Sequence, residues 1–344
     1  MRRVTARLAD IASIGRDATS GGYSRLAWTD ADLTLREWFI GEASGLGLDV
    51  ETDRNGNIWA WWGDPAAGDA IVTGSHVDSV PDGGNYDGPL GIASALTAVA
   101  DLKQRGVRPR RPLAVACFTD EEGGRFGVAC IGSRLSAGVL APEKARALRD
   151  ADGVTLDEAL RQAGRDPEAL GSEPERLARI GAFVELHVEQ GRGLIDLDAP
   201  IAVGTAVLPH GRWRIDITGE PNHAGTTRMS DRRDPMLGLA RLIDAAHREA
   251  TERDSASHAA RATVGKIRCV PNAVNAIPAE VTGWLDARAE DEATLDAMLE
   301  AIGRDLLDLP GLHATFAIES RTPAQHFDPT LSAALAARLG GAPL

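Results

Sequence analysis

The stretch from Gly74 to Gly88 reads GSHVDSVPDGGNYDG and gathers His76, Asp78 and Asp87 in a glycine-rich loop. Two further segments carry residues of the same kind. CFTDEEGGRFG supplies Asp120, Glu121 and Glu122, and VELHVEQGRG supplies Glu185, His187, Glu189 and Gln190. Imidazole and carboxylate donors without thiolates suit a zinc, manganese, cobalt or nickel site more than a structural zinc site. One aspartate can bridge two such cations held about 3.5–4 Å apart, and the pair lowers the pKa of a bound water and polarises a carbonyl. A neighbouring carboxylate that is not a ligand then shuttles the proton, and the Glu121–Glu122 pair offers one group for each task. Any one of these clusters alone is an ordinary polar loop. Three in one chain, each beside glycines, point to metal-assisted hydrolysis.

The clusters share a position in their elements. DAIVTGSH reads as a buried strand, RRPLAVACFTDEE as a strand ending in acids, and ARIGAFVELHVEQG as a strand with a polar end. Ligands of open α/β sheets bind beyond the carboxyl ends of strands. DADLTLREWFIGEASGLGLDV has the apolar spacing of a helix closed by Gly45 and Gly47, and NIWAWWG follows as a strand whose Trp59, Trp61 and Trp62 belong to the core and sheet surface. Gly88 to Gln104 suits a helix packed tightly on a sheet, and GVACIGSRLSAGVL starts another. This alternation predicts an α/β domain with a mostly parallel mixed sheet.

The pattern changes near residue 205. LPHGRWRIDITGE alternates as a half-exposed antiparallel strand; MLGLARLIDAAHREA is a helix, ATVGKIRCV and AEVTGWLDARA are strands, and DEATLDAMLEAIGRDLLDL is a helix. That order predicts a small α+β domain with its helices on one face. The expected domains are 1–207, 208–320 and a return segment 321–344, whose DPTLSAALAARLGGAPL is helical up to its glycine pair.

Composition narrows the function classes. A chain of 344 residues with 43% apolar content is long enough for two domains. A net charge of −13, with no Lys/Arg clusters, argues against nucleic acid or an anionic membrane as partner. No apolar run reaches about 18 residues, and MRRVTARLADIASIGRD lacks the apolar core of a secretory signal. Cys117, Cys130 and Cys269 form no CxxC and read as reduced thiols, so a cytoplasmic location is expected.

With GSHVDSVPDGGNYDGPLG, FTDEEGGRFG, ELHVEQGRGL, GEPNHAGTTRMSDRRDP and PNAVNAIP in this order, the chain resembles the two-metal amidohydrolases that include N-carbamoyl-L-amino-acid hydrolases, allantoate amidohydrolases and β-ureidopropionases, relatives of the aminoacylases and zinc carboxypeptidases. The resemblance implies a zinc-exopeptidase-like catalytic domain with a ferredoxin-like lid and dimerisation domain. It implies His76, Glu122 and His187 as metal ligands, Asp87 as the bridging carboxylate, and Asp78 as the group orienting the His76 ring. Glu121 stands where the family has its general base and acid, and Gln190 where it has a substrate contact. His223 stands where the family has its oxyanion-stabilising histidine, and Asn275 and Arg288 where it has a substrate-carboxylate pair. A guanidinium fork matches a carboxylate bidentately. Two divalent ions, a small ureido or amide carboxylate as substrate and a homodimer follow from the same resemblance.

The family pattern runs further, to a Ser-Gly-Ala-Gly-His-Asp motif holding a fifth ligand, whereas this sequence ends at Leu344; His313 and His326 stand in other contexts. Four of five ligand positions are therefore expected here. The alternatives are a metal-poor relative that binds a small carboxylate without catalysis, and a dipeptidase or aminoacylase of the wider group.

Overall fold

The computed structural model describes residues 2–255, 258–307 and 309–340, so the chain past Gly340, including the end expected to leave the helix, lies outside the described residues. The chain divides into two compact units, Met1–Gln190 and Gly191–Leu344.

The first unit holds strands β1 (Asp49–Thr52), β2 (Ile58–Trp62), β3 (Ala70–His76), β4 (Leu113–Phe118) and β5 (Ile180–Val184). Its helices are α1 (Val4–Asp10), α2 (Asp30–Gly45), α3 (Pro89–Gln104), α4 (Ile131–Ser136), α5 (Pro142–Arg146), α6 (Leu156–Gln162) and α7 (Pro174–Leu177). The strands form one sheet in the order β1-β2-β4-β3-β5. β3 runs parallel to β4 and β5, while β2 is antiparallel to β1 and β4, so the sheet is mixed. Alternation along the strands divides the core. Ile58, Ala60, Val115 and Cys117 face Leu35, Phe39 and Ala43 of α2 and Ile92 and Leu96 of α3. Trp59, Trp61, Val72, Ala114 and Ala116 pack on the opposite side, with the Trp59 and Trp61 rings stacked at 6.0 Å. The small residues of α3 allow its close approach: a Cβ on Gly91 would meet Ser75 Cβ and the Leu186 carbonyl at 2.7 Å.

Two parts of this unit were not legible in the apolar pattern. β1 follows the expected helix and was not anticipated. The helix ends at Gly45, and Gly47, at φ +67°, turns the chain into the strand. Between β4 and β5 the chain makes an excursion of short helices around a separate core of Phe126, Ile131, Leu135, Leu156 and Leu160. α4 lies in GVACIGSRLSAGVL, where a helix was expected, while the helices after it are too short for a periodic signal; α6 is marked by its capping box, Thr155 with Glu158.

The second unit contains α8 (Gly193–Asp196), β6 (Ala206–Val207), β7 (His210–Thr218), β8 (Asn222–His223), α9 (Pro235–Arg253), β9 (Ala260–Val270), β10 (Ala276–Ile277), β11 (Glu280–Ala289), α10 (Glu292–Leu307), β12 (His313–Thr322), β13 (Gln325–His326) and α11 (Pro329–Leu339). Its four-stranded sheet has the order β12-β7-β11-β9 and is antiparallel throughout. Trp213, Ile215 and Ile217 of β7 and Val281 and Leu285 of β11 face Leu239 and Leu242 of α9 and Met298 and Ile302 of α10. Polar residues alternate with them on the other face, where Arg214 pairs with Asp216 at 2.9 Å and Lys266 lies 4.5 Å over the Trp284 ring. Among the described residues no helix is long and apolar enough to cross a membrane.

Candidate metal centre

The sheet order decides what the three acidic and imidazole clusters can do together. β3 lies between β4 and β5, so three consecutive carboxyl ends release His76, the Thr119–Glu122 loop and the Glu185–Gln190 segment side by side. Asp87 returns to the same place at the end of the β3–α3 loop, just before α3 begins at Pro89. Among the described residues, one group of histidine and carboxylate atoms converges closely enough to hold a cation. It consists of His76, Asp87 and His187, whose ligand atoms lie within 4.8 Å of one another.

Both rings are aimed. Nδ1–H of the buried His76 donates to the Asp78 carbonyl at 3.0 Å, and Nδ1–H of His187 donates to the Val188 carbonyl at 2.7 Å. A backbone acceptor at Nδ1 fixes the neutral tautomer and leaves the Nε2 lone pair for a metal. Those Nε2 atoms lie 3.7 Å (His76) and 3.1 Å (His187) from Asp87 Oδ1. Gln190 Nε2 donates to the other oxygen, Asp87 Oδ2, at 2.5 Å. Glu121 Oε2 is 3.7 Å from His76 Nε2. Glu121 also accepts from the Cys130 thiol at 3.4 Å, which the sequence reading did not anticipate.

Asp78 acts on more than the His76 ring. Its carboxylate Oδ1 is 3.7 Å from His76 Nδ1, while its two oxygens accept the backbone N–H groups of Glu121 at 3.2 Å and Glu122 at 3.1 Å. The side chain thus ties the β3 loop to the β4 loop, and the contact to the ring runs through the Asp78 backbone carbonyl. Gly88 is fitted to the same ring. Its φ is +79°, and a Cβ there would meet His76 Cε1 and Nδ1 at 2.6 Å. Gly88→Ala is therefore expected to destabilise the protein by more than about 1 kcal/mol and to weaken divalent-metal binding, checked by thermal melts with and without added metal.

The charges at this point repel one another unless a cation or proton joins them. Burial disfavours charge on His76, yet its hydrogen bond to Asp87 and the charges of Asp78, Glu121 and Glu122 raise its pKa to about 10. Glu122 is pushed up to about 7 by burial, with Asp87 and Glu121 adding to the rise and His76 opposing it. Asp87 is held low, first by its hydrogen bond to His76. A set of lone pairs that is neutralised by protons is also a set that a divalent ion neutralises better, so the residues fit a metal.

Two motifs of the second unit meet locally. β8 pairs with β10, bringing NHAGTT beside PNAVNAIP, and Ala224 N–H donates to the Asn275 carbonyl at 3.0 Å. His223 Nδ1 accepts the Gly225 N–H at 3.0 Å, so its neutral ring carries a proton on Nε2, a donor suited to an oxyanion. Arg232 pins this loop by donating to the carbonyls of Ala224 at 2.6 Å and Thr227 at 3.2 Å. Asp234 caps α9 by accepting the Met236 N–H, so the DRRDP stretch is both a helix start and a loop anchor. Arg288 donates to Asp286 at 2.8 Å within its own strand.

The sequence pattern of peptidase family M20/M25/M40 matches residues 72–339. An N-carbamoyl-L-amino acid amidohydrolase of Geobacillus stearothermophilus is 36% identical over 301 residues, covering 87% of this chain and 72% of that protein. A ureidoglycolate hydrolase of Oryza sativa subsp. japonica is 36% identical over 299 residues, covering 85% of this chain and 61% of that one. The crystal structure of an amidase of the hydantoinase/carbamoylase family from Burkholderia vietnamiensis superposes with a TM-score of 0.86 at 34% identity, covering all of this chain (100%) and 83% of the other.

Proposed function

The chain belongs to peptidase family M20/M25/M40, and on that premise we propose that it is a metal-dependent amidohydrolase that cleaves the C–N bond of a ureido or linear amide group on a small carboxylate. N-carbamoyl-L-amino acids, allantoate and ureidoglycolate are the substrates of choice. The observation that carries the proposal is the convergence of His76, Asp87 and His187, with both Nε2 atoms close to Asp87 Oδ1 and a carboxylate, Glu121, alongside. The named relatives supply the substrate class.

His76, Asp87, Glu122 and His187 are the residues that would hold two divalent ions, zinc, manganese, cobalt or nickel. When bound, such ions supply Lewis acidity toward the scissile carbonyl and toward water. The remaining tasks fall to the chain's own groups. Glu121 takes a proton from water at its carboxylate and passes it to the nitrogen of the leaving amine. Gln190 is placed to contact the substrate, and in the second unit His223 is the proposed donor to the oxyanion, with Asn275 and Arg288 as the groups for the substrate carboxylate. A homodimer belongs to the same proposal.

The test is a panel of N-carbamoyl-L-amino acids, allantoate, ureidoglycolate, N-acetyl amino acids and dipeptides given to the metal-loaded protein. Release of ammonia or free amine from the ureido compounds, and little from the dipeptides, is expected. Dipeptide cleavage without ureido cleavage would overturn the proposal.

Metal uptake should also depend on pH, with a definite sign. In the metal-free protein the folded state favours protonated Glu122 and protonated His76. Their stabilising contributions are present at low pH. They are lost as the pH rises from 4.5 to about 7 for Glu122 and from 6.5 to about 10 for His76. A metal must displace those protons, so its affinity should rise steeply up to about pH 7, where both compete, and more gently from there to about pH 10, where only His76 does. Competition titrations against a chelator across that range check this, and a flat profile would contradict it.

A further inference from the structure

β4 ends at Phe118, and the Glu121–Glu122 pair follows on a loop whose path must be fixed by something other than the sheet ladder. The loop's backbone groups have specific partners. The Asp120 carbonyl accepts from Ile131 N–H at 3.0 Å, the Glu121 carbonyl from Cys130 N–H at 2.7 Å, and the Thr119 carbonyl from Gly132 N–H at 3.0 Å. Asp78 takes the N–H groups of Glu121 and Glu122. The first N–H of the loop, that of Thr119, donates to a side chain, the Oδ1 of Asn57, at 3.0 Å.

Asn57 is fully buried, at 0% exposure, and immediately precedes β2, the neighbour of β4 on the side away from β3. Its own orientation is fixed. Nδ2 donates to Asp53 Oδ2 at 2.9 Å and to Ser136 Oγ at 3.2 Å. Asp53 is in turn saturated by the N–H groups of Asn55 and Asn57 and by Trp59 Nε1. The Thr119 hydroxyl accepts from Arg36 at 3.0 Å. Gly132 leaves the space that the amide oxygen occupies, since a Cβ there would lie 2.3 Å from Asn57 Oδ1. The loop that carries Glu121 and Glu122 is therefore held from the β3 side by Asp78 and from the β2 side by Asn57.

We infer that Asn57 is a positioning residue for the Glu121–Glu122 pair, acting through the Thr119 amide; this deepens the reading of those two carboxylates given above. The part of Asn57 that matters for the site is the acceptor oxygen. The Nδ2 side serves the buried network. Two variants separate these roles. Asn57→Asp keeps an oxygen toward Thr119 but sets a second carboxyl against Asp53. Asn57→Ala removes the acceptor and adds no charge.

The experiment measures zinc affinity by chelator competition, kcat and KM on the best ureido substrate, and thermal stability, for the wild type and both variants. Asn57→Ala is expected to lose about 10- to 100-fold in metal affinity and in kcat, with KM within about threefold, as for removal of a group that orients a ligand. Asn57→Asp is expected to stay within about fivefold of the wild type in both, whatever its melting temperature. Asn57→Ser, which also withdraws the amide oxygen from the Thr119 N–H while leaving a small polar group beside Asp53, should reproduce the Asn57→Ala loss and serves if Asn57→Ala does not fold. Affinity and kcat that fall in proportion to melting temperature in all variants, or an unchanged Asn57→Ala, would overturn the inference. Zinc affinity is read without substrate, so a wild type that binds metal but cleaves no ureido compound would sink the proposed function while the affinities still decide the role of Asn57.

Discussion

Glu121→Gln is expected to retain bound metal and to lose about 100- to 10,000-fold in kcat, the range for removing a positioned general base. The carboxylate lies outside the close triad of His76, Asp87 and His187, yet its Oε2 is 3.7 Å from His76 Nε2. Its side chain is 39% exposed, so water and substrate can reach it. The backbone is clamped by Asp78 at the N–H and by Cys130 at the carbonyl, so the amide replaces the carboxylate without moving the loop. Elemental analysis and steady-state kinetics on the same sample give both readouts. A variant that keeps most of its rate would show that the proton is handled elsewhere, and one that loses its metal would make Glu121 a ligand.

The second large effect is expected at Asp87. Its Oδ1 is the point on which both imidazoles converge, and the Gln190 amide holds its Oδ2. An amide oxygen is a poorer ligand than a carboxylate and bridges two cations badly. Asp87→Asn should therefore lower metal affinity by more than about 100-fold, beyond the usual cost of losing an orienting group, and abolish turnover at ordinary metal concentrations. Circular dichroism establishes that the variant is folded, and chelator competition gives the affinity. Wild-type affinity in a folded Asp87→Asn would remove Asp87 from the centre.

The elements that carry the site were legible because each ends a strong pattern. β3, β4 and β5 are short apolar runs that stop at polar residues, and α3 follows a glycine turn with the small residues a close helix needs. What the pattern could not supply is order within the sheet. Only the pairing of β3 with both β4 and β5 turns three separate clusters into one place. β1 escaped notice because four residues after a glycine stop carry no periodicity. The role of the Asp78 carboxylate escaped because a hydrogen bond to the N–H of residues 121 and 122 spans more than forty positions and leaves no mark on residue type. Asn57 escaped for the same reason. The DRNGN segment turns at Gly56, whose φ is +93°, and the buried amide of Asn57 reaches across to β4. In the second unit, the alternation of β7 was plain, whereas the approach of the His223 loop to Asn275 depends on a ladder of two residues per strand.

The most direct measurement is divalent metal per chain, by elemental analysis of the protein after gel filtration and without added metal. About two ions per chain are expected, the load that His76, Asp87, Glu122 and His187 would hold. A protein that emerges with none, and takes up none when zinc or manganese is supplied, would contradict it.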